Sequence, residues 1–94
     1  MRSHRLKYTT QPERPAEDAP EGYKAAWWRE RVMGFSRPQL AIILGLTDGT
    51  ILRYERSEEV PKQYRLACVG LTSAIAAELD TEPRMLNAPW PPMS

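Results

Sequence analysis

The segment from residue 36 to 56 places the strictest limits on the fold, because it carries an ordered set of helix start and stop signals. Ser36 is a typical N-cap residue, and Pro38 follows within the first helical turn, where proline is tolerated. Gly45 is suited to ending that helix, and Thr47 can cap the next one. The sequence therefore predicts two short helices joined by a tight turn.

A β-hairpin is the alternative structure for this segment. Asp48-Gly49 is a common hairpin turn, and residues 50–54 contain β-branched and aromatic side chains. The hairpin would need residues 41–44 as its partner strand, but these fit a helical face at least as well. We therefore predict a helix over about 48–56 and no strand of useful length.

Apolar spacing predicts two further helices. The first covers about 23–33 and ends at Gly34, and the last covers about 62–79. The apolar face predicted for the last helix comprises Leu66, Val69, Gly70, Leu71, Ala74, Ile75 and Leu79. The fold class is therefore all-α, a compact four- to five-helix bundle with a helix-turn-helix and flexible N- and C-terminal tails.

The two central helices carry the residues that a sharp helix crossing requires. Ala41 is small enough to let the second helix pass closely, Gly45 accepts a positive φ, and Ile51 can fill the angle between the helices. The other inward positions are predicted to hold Leu40, Leu44, Leu46 and Tyr54. This set, within FSRPQLAIILGLTDGTILRYERSEEVP, resembles the helix-turn-helix of the lambda repressor and Cro-like (Xre) family. The likeness spans residues 23–79.

The resemblance implies a bacterial or phage transcription regulator that binds double-stranded operator DNA, usually as a dimer. A weaker likeness is to small phage-type or anti-CRISPR-associated regulators. By position in the motif, the implied base contacts are Arg53, Asp48, Gly49 and Thr50. The implied contacts to the DNA backbone are Arg37, Gln39, Thr47, Arg56, Ser57 and Lys62. The acid at Glu55 matches a family position that is largely structural.

Two of these residues allow more than one role. Arg53 can donate two parallel hydrogen bonds to guanine, but it can equally pair with Glu55 or Glu59 or contact a phosphate. Asp48 can accept a bond from cytosine N4, or it can stabilise the helix start through the helix dipole. Gly49 either allows the backbone to approach DNA closely or merely tolerates that approach.

The two ends of the chain are predicted to be flexible. Residues 1–22 form an arm whose basic members, Arg2, Arg5 and Lys7, can reach into a minor groove or simply remain solvated. Residues 80–94 are predicted to be a proline-rich disordered tail that includes Trp90. Residues 23–79 are the DNA-binding domain.

Composition excludes several functions. The chain of 94 residues carries a net charge of +1, one histidine and one cysteine, so neither a metal site nor an internal disulfide is expected. No nucleophile–base pair and no phosphate-binding loop is evident, so we expect neither an enzyme nor a cofactor. No apolar run could span a membrane, and a cytoplasmic, nucleoid-associated protein is predicted.

Two functions remain after these exclusions. The first is sequence-specific regulation of transcription by a homodimer on a palindromic operator, with helix 48–56 in the major groove; pairing with a related protein is the other possible dimer. The alternative is a protein-interaction module that retains the helix-turn-helix shape without reading DNA. The low net charge, Asp48, Gly49 and the cluster of Glu55, Glu58 and Glu59 favour the alternative. Against it count the basic residues that the motif places on one side, namely Arg37, Arg53, Arg56 and Lys62.

Overall fold

A computed structural model of the protein describes residues 14–79 and 88–92, and all regular structure in these ranges is helical. The helices are α1 (Glu21–Trp27), which continues as a π-helical segment (Trp28–Met33), α2 (Arg37–Leu44), α3 (Asp48–Glu55) and α4 (Lys62–Leu79). The predicted all-α bundle with a helix-turn-helix is therefore confirmed. Within the described residues, no helix has the length and apolarity needed to cross a membrane.

The predicted helix ends lie close to the observed ones. Gly34 and Gly45 adopt φ angles of 74° and 73°, so both stop signals act through the left-handed backbone that glycine tolerates best. The first helix begins at Glu21 rather than Tyr23. It starts directly after Pro20, which is extended and carries no N–H that a helix would need to satisfy.

The core forms where α1, α2, α3 and α4 meet. Its buried members are Ala25, Trp28, Leu40, Ala41, Ile51, Val60, Tyr64, Cys68 and Trp90. Trp28 is fully buried, and its indole Nε1 donates to Thr72 Oγ1 at 2.9 Å, which satisfies the one polar atom of the ring. Burial also raises the pKa of the Cys68 thiol to about 12.

The adjacent Trp27 and Trp28 are both buried, on different sides of the π-helical segment's start. Trp28 enters the core, whereas Trp27 is covered by Arg14, whose guanidinium carbon lies 5.3 Å from the ring centroid. Pro15 is buried as well. Arg14 and Pro15 thus pack against the domain, so the flexibility predicted for residues 1–22 does not hold at these two positions, whereas residues 16–18 and Pro20 are exposed.

The predicted apolar face of α4 is only partly correct. The core-facing residues are Tyr64, Cys68, Thr72 and Ala76, spaced four apart, whereas Leu66, Gly70 and Ala74 are exposed. The sequence did not separate the two sides, because α4 carries small or apolar residues all round. Leu46, also predicted to face inward, is exposed as well.

Residues 88–92 pack onto the bundle, so the predicted disordered tail over 80–94 does not hold for this part. Trp90 is 2% exposed, forms an edge-to-face pair with Trp28 at 5.4 Å, and donates from Nε1 to Glu21 Oε2 at 2.9 Å. Because Trp90 stands alone among prolines, the sequence pattern indicated a disordered end. Trp90 is instead buried beside the start of α1.

Glu21 joins four parts of the fold. Its carboxylate accepts hydrogen bonds from the Val60 N–H, from Arg65 and from Trp90. The bonds from Arg65 outweigh the opposing effect of burial and, with those from Trp90 and Val60, lower the pKa of Glu21 to about 2. This carboxylate therefore fixes the start of α1 against the loop before α4, α4 itself and the C-terminal segment.

Gly22 allows α1 to approach the end of α3 closely. A Cβ atom at this position would lie 2.5 Å from the carbonyl oxygens of both Tyr54 and Ser57. The Gly22 N–H donates to the Ser57 carbonyl at 3.0 Å. Any larger residue here would push the two helices apart, and nothing in the local sequence around Gly22 signals this contact.

Candidate nucleic-acid interface

The turn between α2 and α3 is held by the capping residues that the sequence indicated. Ser36 and Gln39 form a reciprocal capping box, with Ser36 N donating to Gln39 Oε1 at 2.8 Å and Gln39 N donating to Ser36 Oγ at 3.2 Å. Thr47 Oγ1 accepts from the Thr50 N–H at 3.2 Å. Both helices therefore begin at fixed positions on the same side of the molecule.

A buried carboxylate sets the rotation of α3. Glu55 Oε2 accepts from Arg29 Nε at 2.6 Å, and Glu55 Oε1 accepts from Arg29 Nη2 at 3.1 Å and from Arg37 Nε at 2.9 Å. Burial by itself would lower the pKa of Arg29, but hydrogen bonding and charge attraction from Glu55 raise it above its ordinary value. With Ile51 also fully buried, the opposite side of α3 must face outward.

The predicted base-contact residues lie at different positions around α3. Asp48, Gly49 and Arg53 are exposed, and Thr50 is half-buried. Gly49 has only Thr47 Oγ1 near the position of a Cβ atom, at 4.0 Å, so the backbone here is open to an approaching ligand. Gly49 and Arg53 thus share the outward side, whereas Asp48, two helical turns before the buried Glu55, lines the cleft beside the start of α2.

The Arg53 guanidinium is held by no ion pair in the described part of the chain. Its carbon lies 5.5 Å from the centroid of the Tyr54 ring. Glu55, one of its predicted alternative partners, is already bonded to Arg29 and Arg37, and no ion pair with Glu59 forms. The donors of Arg53 are therefore available to a ligand at the surface.

Several predicted backbone contacts already have structural roles. Arg37 bonds to Glu55, although about a third of its side chain stays exposed. Gln39 and Thr47 cap helices, and Ser57 Oγ donates to the Arg53 carbonyl at 2.8 Å. Thr50 is a candidate base contact, but its hydroxyl lies 2.9 Å from Thr47 Oγ1 and so takes part in the same cap. Arg56 and Lys62, by contrast, are exposed and form no ion pair within the described residues.

A cleft of about 640 Å³ lies between the start of α2 and the start of α3. Arg37 and Gln39 line one side, and Asp48 and Leu52 line the other. At its base, one carboxylate oxygen of Glu30 is buried without a hydrogen-bond partner, while the other accepts from Arg29 at 3.1 Å. The cleft therefore offers the partly exposed guanidinium of Arg37 to an anion, and carboxylates to an amine.

The basic arm residues Arg2, Arg5 and Lys7 lie outside the described residues. Sequence reasoning missed Arg29, because a charged residue inside a predicted surface helix is ordinarily solvated. The available signal was its position in register with the apolar residues Ala25 and Trp28, which places it on the buried face. Among the described residues, no group of histidine, cysteine and acidic side chains could hold a metal ion.

No protein-family model matches the chain, and no curated protein or solved structure is significantly similar to it. The assignment of a function therefore depends on the geometry of the chain itself.

Proposed function

We propose that the protein is a sequence-specific DNA-binding regulator of transcription that inserts α3 into the major groove. One observation carries this proposal: Glu55 is buried by Arg29 and Arg37, so α3 presents its opposite side to solvent with Arg53 held by no acid. A helix that enters the major groove needs such an unobstructed outer side, with polar groups near its N-terminus.

Arg53 carries most of the base recognition in this proposal. Its guanidinium has the donor geometry to bond O6 and N7 of guanine, a contact that contributes ~1–3 kcal/mol to discrimination between bases. Asp48 supplies an acceptor for cytosine N4, and Gly49 lets the backbone come close to the groove. Because the Thr50 hydroxyl is shared with the Thr47 cap, its contribution to base recognition is secondary.

Phosphate contacts come from the edges of the same surface. Arg56 and Lys62 provide free positive charges on one side of α3. On the other side, the partly exposed guanidinium of Arg37 at the start of α2 can donate to a phosphate. Contacts of this kind position a protein on DNA without selecting a sequence.

A homodimer on a palindromic site completes the proposal. Two copies related by a two-fold axis would present their recognition helices to half-sites about one helical turn apart, ~34–36 Å. Such a regulator would act in the cytoplasm, at the nucleoid.

The second candidate function is a protein-interaction module. Ile42 is 81% exposed and Ile43 is 47% exposed on the outer side of α2. Two large apolar side chains exposed next to each other are typical of a protein contact surface. Close by, a groove of about 210 Å³ is lined by Leu44, Leu46, Tyr54, Pro61, Gln63, Tyr64 and Ala67. This surface adjoins Arg53 through Tyr54 and would be the contact site of such a module.

Fluorescence anisotropy with mixed-sequence duplex DNA separates the two functions. The proposal predicts binding at about 50 mM salt that weakens steeply toward about 200 mM, because binding releases counterions from the phosphates. Arg56→Gln should flatten the salt dependence by about one unit of log–log slope. Glu58→Gln, at an exposed site outside the proposed contacts, is the matched control and should keep the wild-type slope. Absence of binding at about 50 mM salt would rule out DNA recognition and leave the interaction module.

A further inference from the structure

The outer face of α4 is exposed, carries charges only at its two ends and is symmetric about Gly70. Its exposed positions occur in pairs equidistant from Gly70, namely Leu66 with Ala74, Gln63 with Ala77, and Lys62 with Glu78. No exposed position of α4 between Lys62 and Glu78 carries a charge. A solvent-facing helix side ordinarily carries charged residues, so this face has the character of a contact surface.

Gly70 has no packing role among the described residues. A Cβ atom at this position would meet no atom of another described element within 4 Å, so none of the other helices approaches α4 closely here. Glycine disfavours a helix relative to alanine, and no feature of the described fold offsets that loss. A second helix crossing this face at Gly70 would account for it, since glycine allows the closest approach of two helix backbones.

We infer that α4 pairs with α4 of a second copy of this chain, antiparallel and crossing at Gly70. In that arrangement Lys62 of each copy lies opposite Glu78 of the partner subunit, so one such pair stands at each end of the contact. A parallel pair would instead bring like charges to the same height. The opposite charges at the two ends of this face therefore select the antiparallel, two-fold arrangement, in which both subunits use the same surface.

Leu66 supplies the main apolar contact of the pair. It is 56% exposed in the single chain, and an antiparallel helix would place small side chains opposite it rather than a second leucine. Leu66 then fills the space that those small residues leave. This inference rests on the proposed function only for the use of the dimer, two copies on a palindromic site; the pairing itself depends on the face of α4.

Cysteine cross-linking of the full chain in the absence of DNA tests the geometry. Gly70→Cys should form an intermolecular disulfide in high yield, because position 70 meets its own counterpart at the crossing. Leu66→Cys is the matched control and should form no intermolecular disulfide. Its two copies lie about 12 Å apart along an antiparallel pair, which is beyond the reach of a disulfide. The wild-type chain gives the blank, since Cys68 is fully buried.

Sedimentation equilibrium of the same full-length proteins tests the oligomeric state. The wild type should have twice the chain mass of 10.8 kDa. Gly70→Arg should be monomeric, with a dimer dissociation constant raised at least about tenfold. Ile42→Arg, an exposed apolar residue outside α4, should stay dimeric. Lys62→Glu and Glu78→Lys should each weaken the dimer about three- to tenfold, and the double charge reversal should restore it.

Three outcomes of these experiments would contradict the α4 pairing. A monomeric wild type, a dimer in which neither cysteine variant cross-links, or cross-linking of both variants would overturn it. The DNA-binding proposal can fail separately. A dimer that cross-links as expected but binds no DNA would support the α4 pairing and contradict the proposed function. A monomer that binds DNA does the reverse.

Discussion

Arg29 and Glu55 form a buried ion pair in which two nitrogens of one guanidinium bond both oxygens of one carboxylate, at 2.6 and 3.1 Å. The pair joins the π-helical segment after α1 to the last residue of α3. The same guanidinium also donates from Nη1 to the Phe35 carbonyl at 2.8 Å, so it supports the chain that leads into α2. One buried arginine thus positions both helices of the candidate interface.

Removing this arginine should destabilise the protein strongly. Arg29→Met leaves the Glu55 charge buried with fewer partners, and we expect a loss of about 3–5 kcal/mol in the free energy of unfolding. Arg37→Met is the control, because its partly exposed side chain makes only one bond to Glu55; a loss of about 1 kcal/mol or less is expected. Urea denaturation followed by circular dichroism measures both, and equal losses would contradict the account.

Stability should fall with acid through Glu21. The folded pKa of Glu21 is about 2, below its ordinary value of 4.5, so its contribution is complete above about pH 5 and is lost as the pH falls toward 2. Glu21→Gln should cost about 1–2 kcal/mol at pH 7 and flatten the pH dependence in that window. Glu58→Gln, at an exposed site, should leave the curve unchanged. A Glu21→Gln curve parallel to the wild type would refute this role.

Two glycines at the second position of their helices should respond oppositely to alanine. Gly22→Ala places a Cβ atom 2.5 Å from backbone oxygens of Tyr54 and Ser57, and should cost at least about 2 kcal/mol. Gly49→Ala meets open space at the start of α3, and should stabilise by up to about 1 kcal/mol. Thermal unfolding of both variants decides the point; a tolerated alanine at position 22 would show that α1 and α3 are not in this close contact.

The C-terminal segment should be part of the folded domain. Trp90→Ala removes a buried ring that packs on Trp28 and a bond to Glu21, and we expect a loss of about 3–5 kcal/mol. Trp27→Ala is a useful comparison, because that ring lies outside the central core under Arg14. Its loss should be smaller. Unchanged urea midpoints for Trp90→Ala would place this tryptophan outside the fold.

The local signals of the sequence were sufficient for the helix-turn-helix. Ser36, Gly45 and Thr47 determine helix ends through their own backbone and side-chain chemistry, and each has the predicted role. The outward position of Arg53 also followed, because spacing along α3 and the buried Ile51 settle it. Such features depend on neighbours within one helical turn, which is the range over which a sequence pattern is informative.

Long-range contacts were not predictable in the same way. The burial of Trp90 against Trp28, the contact of Gly22 with α3 and the pairing of Arg29 with Glu55 join residues distant in sequence. The side of α4 that faces the core was also ambiguous, because both sides are apolar or small. Only the packed structure distinguishes these alternatives.

The most direct test of DNA recognition by α3 is selection of binding sites from a randomised duplex library, sequenced for the wild type and for Arg53→Ala. The account predicts that the wild type enriches a two-fold symmetric motif with a guanine in each half-site. Arg53→Ala, which should fold as stably as the wild type, should bind DNA but lose the preference for that guanine. An identical motif from both proteins, or no enriched motif from the wild type, would contradict the claim.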